Sequence, residues 1–209
     1  MSNDHHDHDH PHEPVTTSEE PAVAARVRAL EELLLEKGIV ERDELRRRID
    51  WLVSRTPADG ARLVARAWID DAFKARLLAD ARQAALELDV YPGPSPVVVA
   101  LENTDDLHHM VVCTLCSCYP RALLGPPPDW YKSLPYRSRA LSDPRGVLRE
   151  FGLTLDDRVE LRVVDSTADI RYLVLPHRPA GTESLDEDAL AALVTRDSMI
   201  GVSQARGPA

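Results

Sequence analysis

Tyr91-Pro92-Gly93-Pro94-Ser95-Pro96 divides the chain into two unlike halves. Proline lacks an amide proton and clashes with the preceding helical turn, so no helix crosses this stretch. Upstream, residues 21–88 carry apolar residues at helical spacing. Val23, Val27, Leu30, Leu33 and Leu34 form a first stripe that stops at Gly38, with Ser18 as its expected N-cap and Glu19, Glu20 and Pro21 in the first turn. A second helix is expected to carry Leu45, Ile49 and Leu52 and to break at 56–60, with further helices over 61–68 and 71–88. The stripes are narrow, which predicts a helical arm over 21–90 that buries its apolar face on another chain. Downstream, β-rich runs at 97–101, 110–112, 159–164, 170–175 and 200–202 mix with helical runs at 143–151 and 185–194, the latter capped by Ser184. Strands and helices do not alternate regularly, so the expected class is α+β: an N-terminal helical arm followed by a mixed α/β domain over 91–209.

Composition narrows the function classes. The 209 residues include 25 Lys+Arg against 35 Asp+Glu, a formal net charge of −10. Such a surface repels phosphate backbones and anionic lipid, so no nucleic acid and no membrane partner is expected. The longest apolar run, at 96–101, is far too short to span a bilayer. The N-terminus lacks a basic-then-apolar pattern, and the expected compartment is cytoplasmic. Residues 1–20 hold five of the eight histidines, interleaved with Asp4, Asp7 and Asp9. Without apolar periodicity this tail is read as disordered, serving either to collect metal or simply to solubilise or tag the chain.

The chemistry is concentrated in Val112-Cys113-Thr114-Leu115-Cys116-Ser117-Cys118, which holds all three cysteines of the chain. An odd cluster within six residues cannot form a disulfide framework and reads as metal-binding or redox-active. Cys116-Ser117-Cys118 places two sulfurs around the backbone amides of Ser117 and Cys118. If both amides lose their protons, the tripeptide can wrap a metal in a planar set of two nitrogens and two sulfurs, and Cys113 can reach an axial position. That leaves a sixth position open for hydrolytic or hydration chemistry. Such strong donors suit a low-spin trivalent ion, Co(III) or Fe(III), better than Zn(II). Two other readings stand beside this one: a structural zinc or metal-carrier module borrowing His108 or His109, and a redox pair at Cys113 and Cys116.

The loop resembles that of the nitrile hydratase α-subunit family, in the cobalt-type form with Thr114 between the first two cysteines. The resemblance extends through Gly125-Pro126-Pro127-Pro128-Asp129-Trp130-Tyr131-Lys132-Ser133, Tyr136-Arg137-Ser138-Arg139, Asp165-Ser166, Arg171-Tyr172-Leu173-Val174-Leu175-Pro176 and Val194-Thr195-Arg196-Asp197-Ser198-Met199-Ile200-Gly201-Val202. It implies a layered α-β-β-α domain and hydration of a nitrile to its amide on Co(III), ahead of Fe(III). It further implies that Cys113 stays an unmodified thiolate while Cys116 becomes a sulfinate and Cys118 a sulfenate. Ser117 and Cys118 also ligate through nitrogen, so metal-site Cys113, Cys116, Ser117 and Cys118 overlap with catalytic Cys116, Ser117 and Cys118. The partners it implies are a β-type subunit, a metallochaperone or activator, and a small-molecule nitrile.

One position departs from the commoner family pattern. After Cys118-Tyr119-Pro120 the family usually places Trp, where this sequence has Arg121. A cation there favours polar, anionic or heteroaromatic substrates, and Arg121 is the expected substrate-pocket residue. The related thiocyanate hydrolase metal subunit resembles this chain at the same position and in its His/Asp-rich start. The branch acting on the nucleoside nitrile toyocamycin is a further resemblance. The bland alternative for Arg121 is a surface or interface arginine paired with a neighbouring carboxylate.

Overall fold

The computed structural model describes residues 20–208; the expected tail and the Ser18 cap lie outside the described residues. Two helices lead, α1 (Glu20–Glu36) and α2 (Arg42–Val53). Their apolar stripes, including Val23, Val27, Leu30, Leu33 and Ile49, face outward. Helices α3 (Ala58–Ile69), α4 (Asp71–Ala79) and α5 (Ala81–Glu87) behave differently. They pack on one another and contribute Leu63, Val64, Phe73, Leu77 and Ala84 to the same core as the strands. Helices α1 and α2 thus carry most of the exposed large apolar side chains within 21–90, with Ile69, Leu78 and Leu86 the exposed ones on α3, α4 and α5. Small residues explain the difference. Gly60 lies inside α3, where a Cβ would stand 2.8 Å from both Leu124 and Met199. The expected continuous helix over 71–88 breaks at Asp80, whose carboxylate accepts the amides of Arg82 and Gln83 and caps α5.

Four strands follow the proline-rich boundary: β1 (Val97–Glu102), β2 (Leu107–Val112), β3 (Glu160–Asp165) and β4 (Ile170–Leu175). They form two parallel pairs, β1 with β4 and β2 with β3. Register sets Val97 opposite Ile170 in one pair, and Val112 opposite Asp165 in the other. The pairs adjoin through β2, which touches both β1 and β4. Helices α4 and α5 cover β1 on one side, and α9 (Pro144–Glu150) covers β3 on the other, giving the layered α+β architecture. Short helices α6 (Arg121–Leu124) and α7 (Asp129–Lys132) and the longer α8 (Leu134–Ser142) fill the connection from β2. Ser133 caps α8 through the Tyr136 amide.

The C-terminal region departs from the expected pattern. Residues 200–202 do not form a strand. Thr195 and Ser198 exchange backbone-to-side-chain hydrogen bonds in a capping box that starts α11 (Arg196–Ile200). Gly201 ends it in the left-handed region at φ 86°, where a Cβ would collide with the His109 carbonyl. The preceding helix α10 (Glu187–Leu193) is capped by Asp186 rather than Ser184, because the Asp186 carboxylate accepts the Ala189 amide.

The β1–β2 turn is locked by Asn103. Its Oδ1 accepts the His109 amide at 2.7 Å, while its Nδ2 donates to His108 Nδ1 at 3.1 Å. His108 Nε2 in turn donates to the Gly201 carbonyl at 2.7 Å, which fixes a neutral imidazole. Burial lowers the His108 pKa. The unfolded chain therefore binds this proton more readily than the folded one. The corresponding stability is complete above about pH 6.5 and is lost as pH falls from there through the folded-state value. Urea unfolding should show a falling midpoint below that pH, and His108→Gln should flatten part of the dependence.

Candidate metal centre

The cysteine loop begins where β2 ends. Cys113 follows Val112 directly and is 1% exposed, while Cys116 stands in the open and Cys118 is half-buried. The three sulfurs all lie within 4.8 Å of one another, and no other described group of His, Cys, Asp or Glu forms such a cluster. Cys113 and Cys116 are 3.5 Å apart, and Cys116 and Cys118 are 3.3 Å apart. These separations suit neighbouring corners of one coordination sphere. With metal–sulfur bonds of about 2.3 Å, neighbouring sulfurs stand about 3.3 Å apart on an octahedron and about 3.8 Å apart on a tetrahedron. The Cys116 amide donates to Cys113 Sγ at 3.3 Å, and the amides of Ser117 and Cys118 face the Cys116 sulfur. Three sulfurs therefore converge, and a set of clustered thiols fits a bound metal ion.

The loop reaches this shape because the surrounding fold grips its main chain. The Asp165 carboxylate, at the end of β3, accepts the Thr114 amide at 3.0 Å and the Thr114 hydroxyl at 2.5 Å. Arg137 Nη2 donates to the Thr114 carbonyl at 2.7 Å. The Ser166 amide donates to the Val112 carbonyl at 2.7 Å. Tyr131 and Tyr136 donate to the carbonyls of Cys118 and Val111. Two buried donors beside the loop, Arg137 Nε and Ser166 Oγ, have no partner among the described residues. Ser166 Oγ lies next to the Tyr131 phenol but off hydrogen-bond geometry.

The thiols are not equivalent. Hydrogen bonds from Cys118 and Cys113 lower the Cys116 pKa, with the nearby amides adding to the effect. Burial, followed by sharing of protons with Cys116 and Cys113, pushes the Cys118 thiol up to about 12. The first thiolate therefore forms on Cys116, and its charge opposes a second on Cys118.

Other expected site residues fall as follows. Arg121 opens α6 three residues beyond Cys118; it is exposed, and its side chain has no ion pair or hydrogen bond among the described residues. His108 and His109 are committed to Gly201 and Asn103 at the start of β2, at the far end of the strand from Cys113, so neither completes a four-ligand zinc site. A cleft of about 600 Å³, lined by Asn103, Asp105, His108, His177 and Glu183, also lies beyond that far end and shares no residue with the loop. The grip of Asp165 on Thr114 carries no sequence signal of its own; the register of β2 against β3 sets Asp165 beside Val112, two residues before Thr114.

A protein that gathers three cysteine sulfurs at the end of a parallel strand pair belongs to the class of metal-centre proteins. Comparison with known proteins is more specific. The sequence matches the family described as nitrile hydratase, alpha chain, over residues 21–203. It is 54% identical, over 87% of this chain and 88% of the relative, to the low-molecular weight cobalt-containing nitrile hydratase subunit alpha of Rhodococcus rhodochrous. The gamma subunit of thiocyanate hydrolase from Thiobacillus thioparus is 42% identical over 84% of this chain and 76% of its own length. Among solved structures, a double mutant of the Fe-type nitrile hydratase from Comamonas testosteroni Ni1 superposes with a TM-score of 0.81 at 44% identity, covering 90% of this chain and 92% of the other. This chain belongs to the nitrile hydratase α-chain family.

Thiol reactivity tests the geometry without any metal. In the reduced chain near pH 8, iodoacetamide should alkylate Cys116 well before Cys118 and Cys113, as read by peptide mass spectrometry. Modification of buried Cys113 first would contradict the arrangement.

Proposed function

We propose that this chain is the metal-bearing subunit of a Co(III) nitrile hydratase, adding water across a nitrile to give the amide in a complex with a β-type subunit. The observation that carries the reading is the convergence of three sulfurs within 4.8 Å, with the Ser117 and Cys118 amides beside the Cys116 sulfur. Cobalt rather than iron is favoured by the cobalt-containing relative and by Thr114; the Fe-type structural relative keeps Fe(III) as the lesser option. In this reading Cys113, Cys116 and Cys118 hold the ion through sulfur, and Ser117 and Cys118 hold it also through nitrogen. A trivalent ion held there supplies Lewis acidity and one exchangeable position.

The chain's own residues do the rest. Cys116 as sulfinate and Cys118 as sulfenate sit on the ordinary oxidation ladder. The unpartnered donors Arg137 Nε and Ser166 Oγ lie within the same surroundings, where oxidation adds acceptors. The Cys118 sulfenate oxygen serves as base or nucleophile when a carbon–oxygen bond forms at the nitrile carbon; the two protons of water end on nitrogen as C≡N becomes C(O)NH₂. The Ser117 hydroxyl orients the incoming molecule. Asp165 and Arg137 keep Thr114, and with it the loop, from yielding during turnover.

The exposed apolar stripes of α1 and α2 support docking on the β-type subunit, since burying such surface contributes roughly 25 cal/mol per Å². Leu115, 87% exposed at the tip of the loop, supports the same partner closing over the site. A metallochaperone or activator would deliver the ion. Clustered free thiols and the acidic surface support a reducing, cytoplasmic setting.

Arg121 favours a second reading. Its unpaired cation near the loop would suit an anion, and the thiocyanate hydrolase relative supports that chemistry. A polar nitrile such as the nucleoside toyocamycin would suit it as well. The complex reconstituted with its β-type partner separates these activities: amide from nitriles marks the first, while ammonia and carbonyl sulfide from thiocyanate mark the second. Arg121→Trp should shift preference toward apolar nitriles, and an unchanged profile would remove Arg121 from the pocket. Cys118→Ala should lose both cobalt, measured by elemental analysis, and turnover. Zinc retained in place of cobalt, in protein made with cobalt supply, would instead favour the structural zinc or metal-carrier reading.

A further inference from the structure

Tyr131 and Tyr136 stand five residues apart, one in α7 and the other in α8, and both are fully enclosed. Both hydroxyls donate to main-chain carbonyls at the cysteine loop. Tyr131 Oη donates to the Cys118 carbonyl at 2.9 Å, and Tyr136 Oη donates to the Val111 carbonyl at 2.6 Å. Those two carbonyls bracket the cysteine loop, one two residues before Cys113 and one on Cys118, its last cysteine. The rings are held by neighbours: Tyr131 packs on Tyr119 at 5.2 Å, and Tyr136 packs on Trp130 at 4.9 Å. Burial raises both phenol pKa values, so both groups keep their protons and remain donors wherever the protein is folded. Phenylalanine would fill the same volume, and a buried hydroxyl is stabilising only where it meets a partner. What the two hydroxyls meet is the main chain of the loop.

We propose that Tyr131 and Tyr136 are positioning residues of the metal centre, pinning both ends of the cysteine loop so that the three sulfurs already face one point before an ion arrives. The inference rests on the metal reading given above and adds a cause for it. A loop ordered in advance does not lose that conformational freedom on binding, so affinity rises without any new ligand. Groups that act on ligands from behind typically change metal affinity 10–100-fold when removed.

The test uses the reduced full-length chain titrated with Co(II) against a chelator of known affinity, read by sulfur-to-cobalt charge-transfer absorption. Tyr131→Phe should weaken cobalt binding about 10-fold or more. Tyr119→Phe, in the same aromatic cluster but with its hydroxyl 3.5 Å from the Leu124 carbonyl outside the loop, should leave affinity unchanged. Equal affinity for wild type and Tyr131→Phe overturns the proposal while leaving the metal reading intact. Equal weakening by Tyr119→Phe also overturns it, since that would be a general packing effect. Should Tyr131→Phe fail to fold, Tyr136→Phe carries the same comparison through the Val111 carbonyl. A wild-type chain that takes up no cobalt overturns the metal reading and this inference with it.

Discussion

The Asp165 carboxylate takes two hydrogen bonds from one residue, Thr114, and the shape of the cysteine loop depends on that grip. It is available only because β2 and β3 run parallel in a register that sets Val112 beside Asp165. Strand β2 delivers Cys113 to the buried edge of the loop, and strand β3 ends on the carboxylate that turns the chain at the next residue. Without that turn, Cys116 and Cys118 would continue away from Cys113. A charge-assisted acceptor gripping an amide and a hydroxyl together is stronger than two neutral contacts, and it suits a main chain that must resist movement. Arg137 pulls the same peptide from the other side, so Thr114 is fixed at amide, hydroxyl and carbonyl.

This arrangement explains why the centre is rigid underneath and open above. Below it lie Tyr119, Tyr131, Tyr136, Trp130 and Phe151, edge-packed aromatics whose rings leave little room for rearrangement. Above it, Leu115 and Cys116 face outward. A hydration site needs low dielectric and excluded water around the reacting atoms, and this surface does not enclose the loop. The exposed apolar faces of α1 and α2 tell the same story at a distance. Both are the marks of a chain whose chemistry is completed in a larger assembly.

Much of this was legible in the residues. The Pro-rich stretch at 91–96 marked where helices give way to strands, and Ile170–Leu175 appeared at its expected bounds because a β-branched and aromatic run between turn residues has little alternative. Periodicity does not distinguish a stripe that meets a partner chain from one that meets the chain's own core, and within 21–90 helices α3 to α5 join the core. Alanine-rich α3 and α5 fold inward through close approach, which hydropathy alone under-reports. At 200–202 a short apolar run read as strand, but the Thr195/Ser198 box and Gly201 decided for helix and stop. Cys113, Cys116 and Cys118 were visible from spacing. The residues that hold them, Asp165, Arg137 and Tyr131, lie 13 to 51 positions from their partners, and only folding brings them to the loop.

In the proposed centre Cys113, Cys116 and Cys118, with the amides of Ser117 and Cys118, surround one trivalent ion. X-ray absorption at the cobalt edge of the loaded protein tests it most directly. A six-coordinate ion with both sulfur and nitrogen neighbours is the expected result. A four-coordinate, tetrahedral ion bound through side chains alone would contradict it.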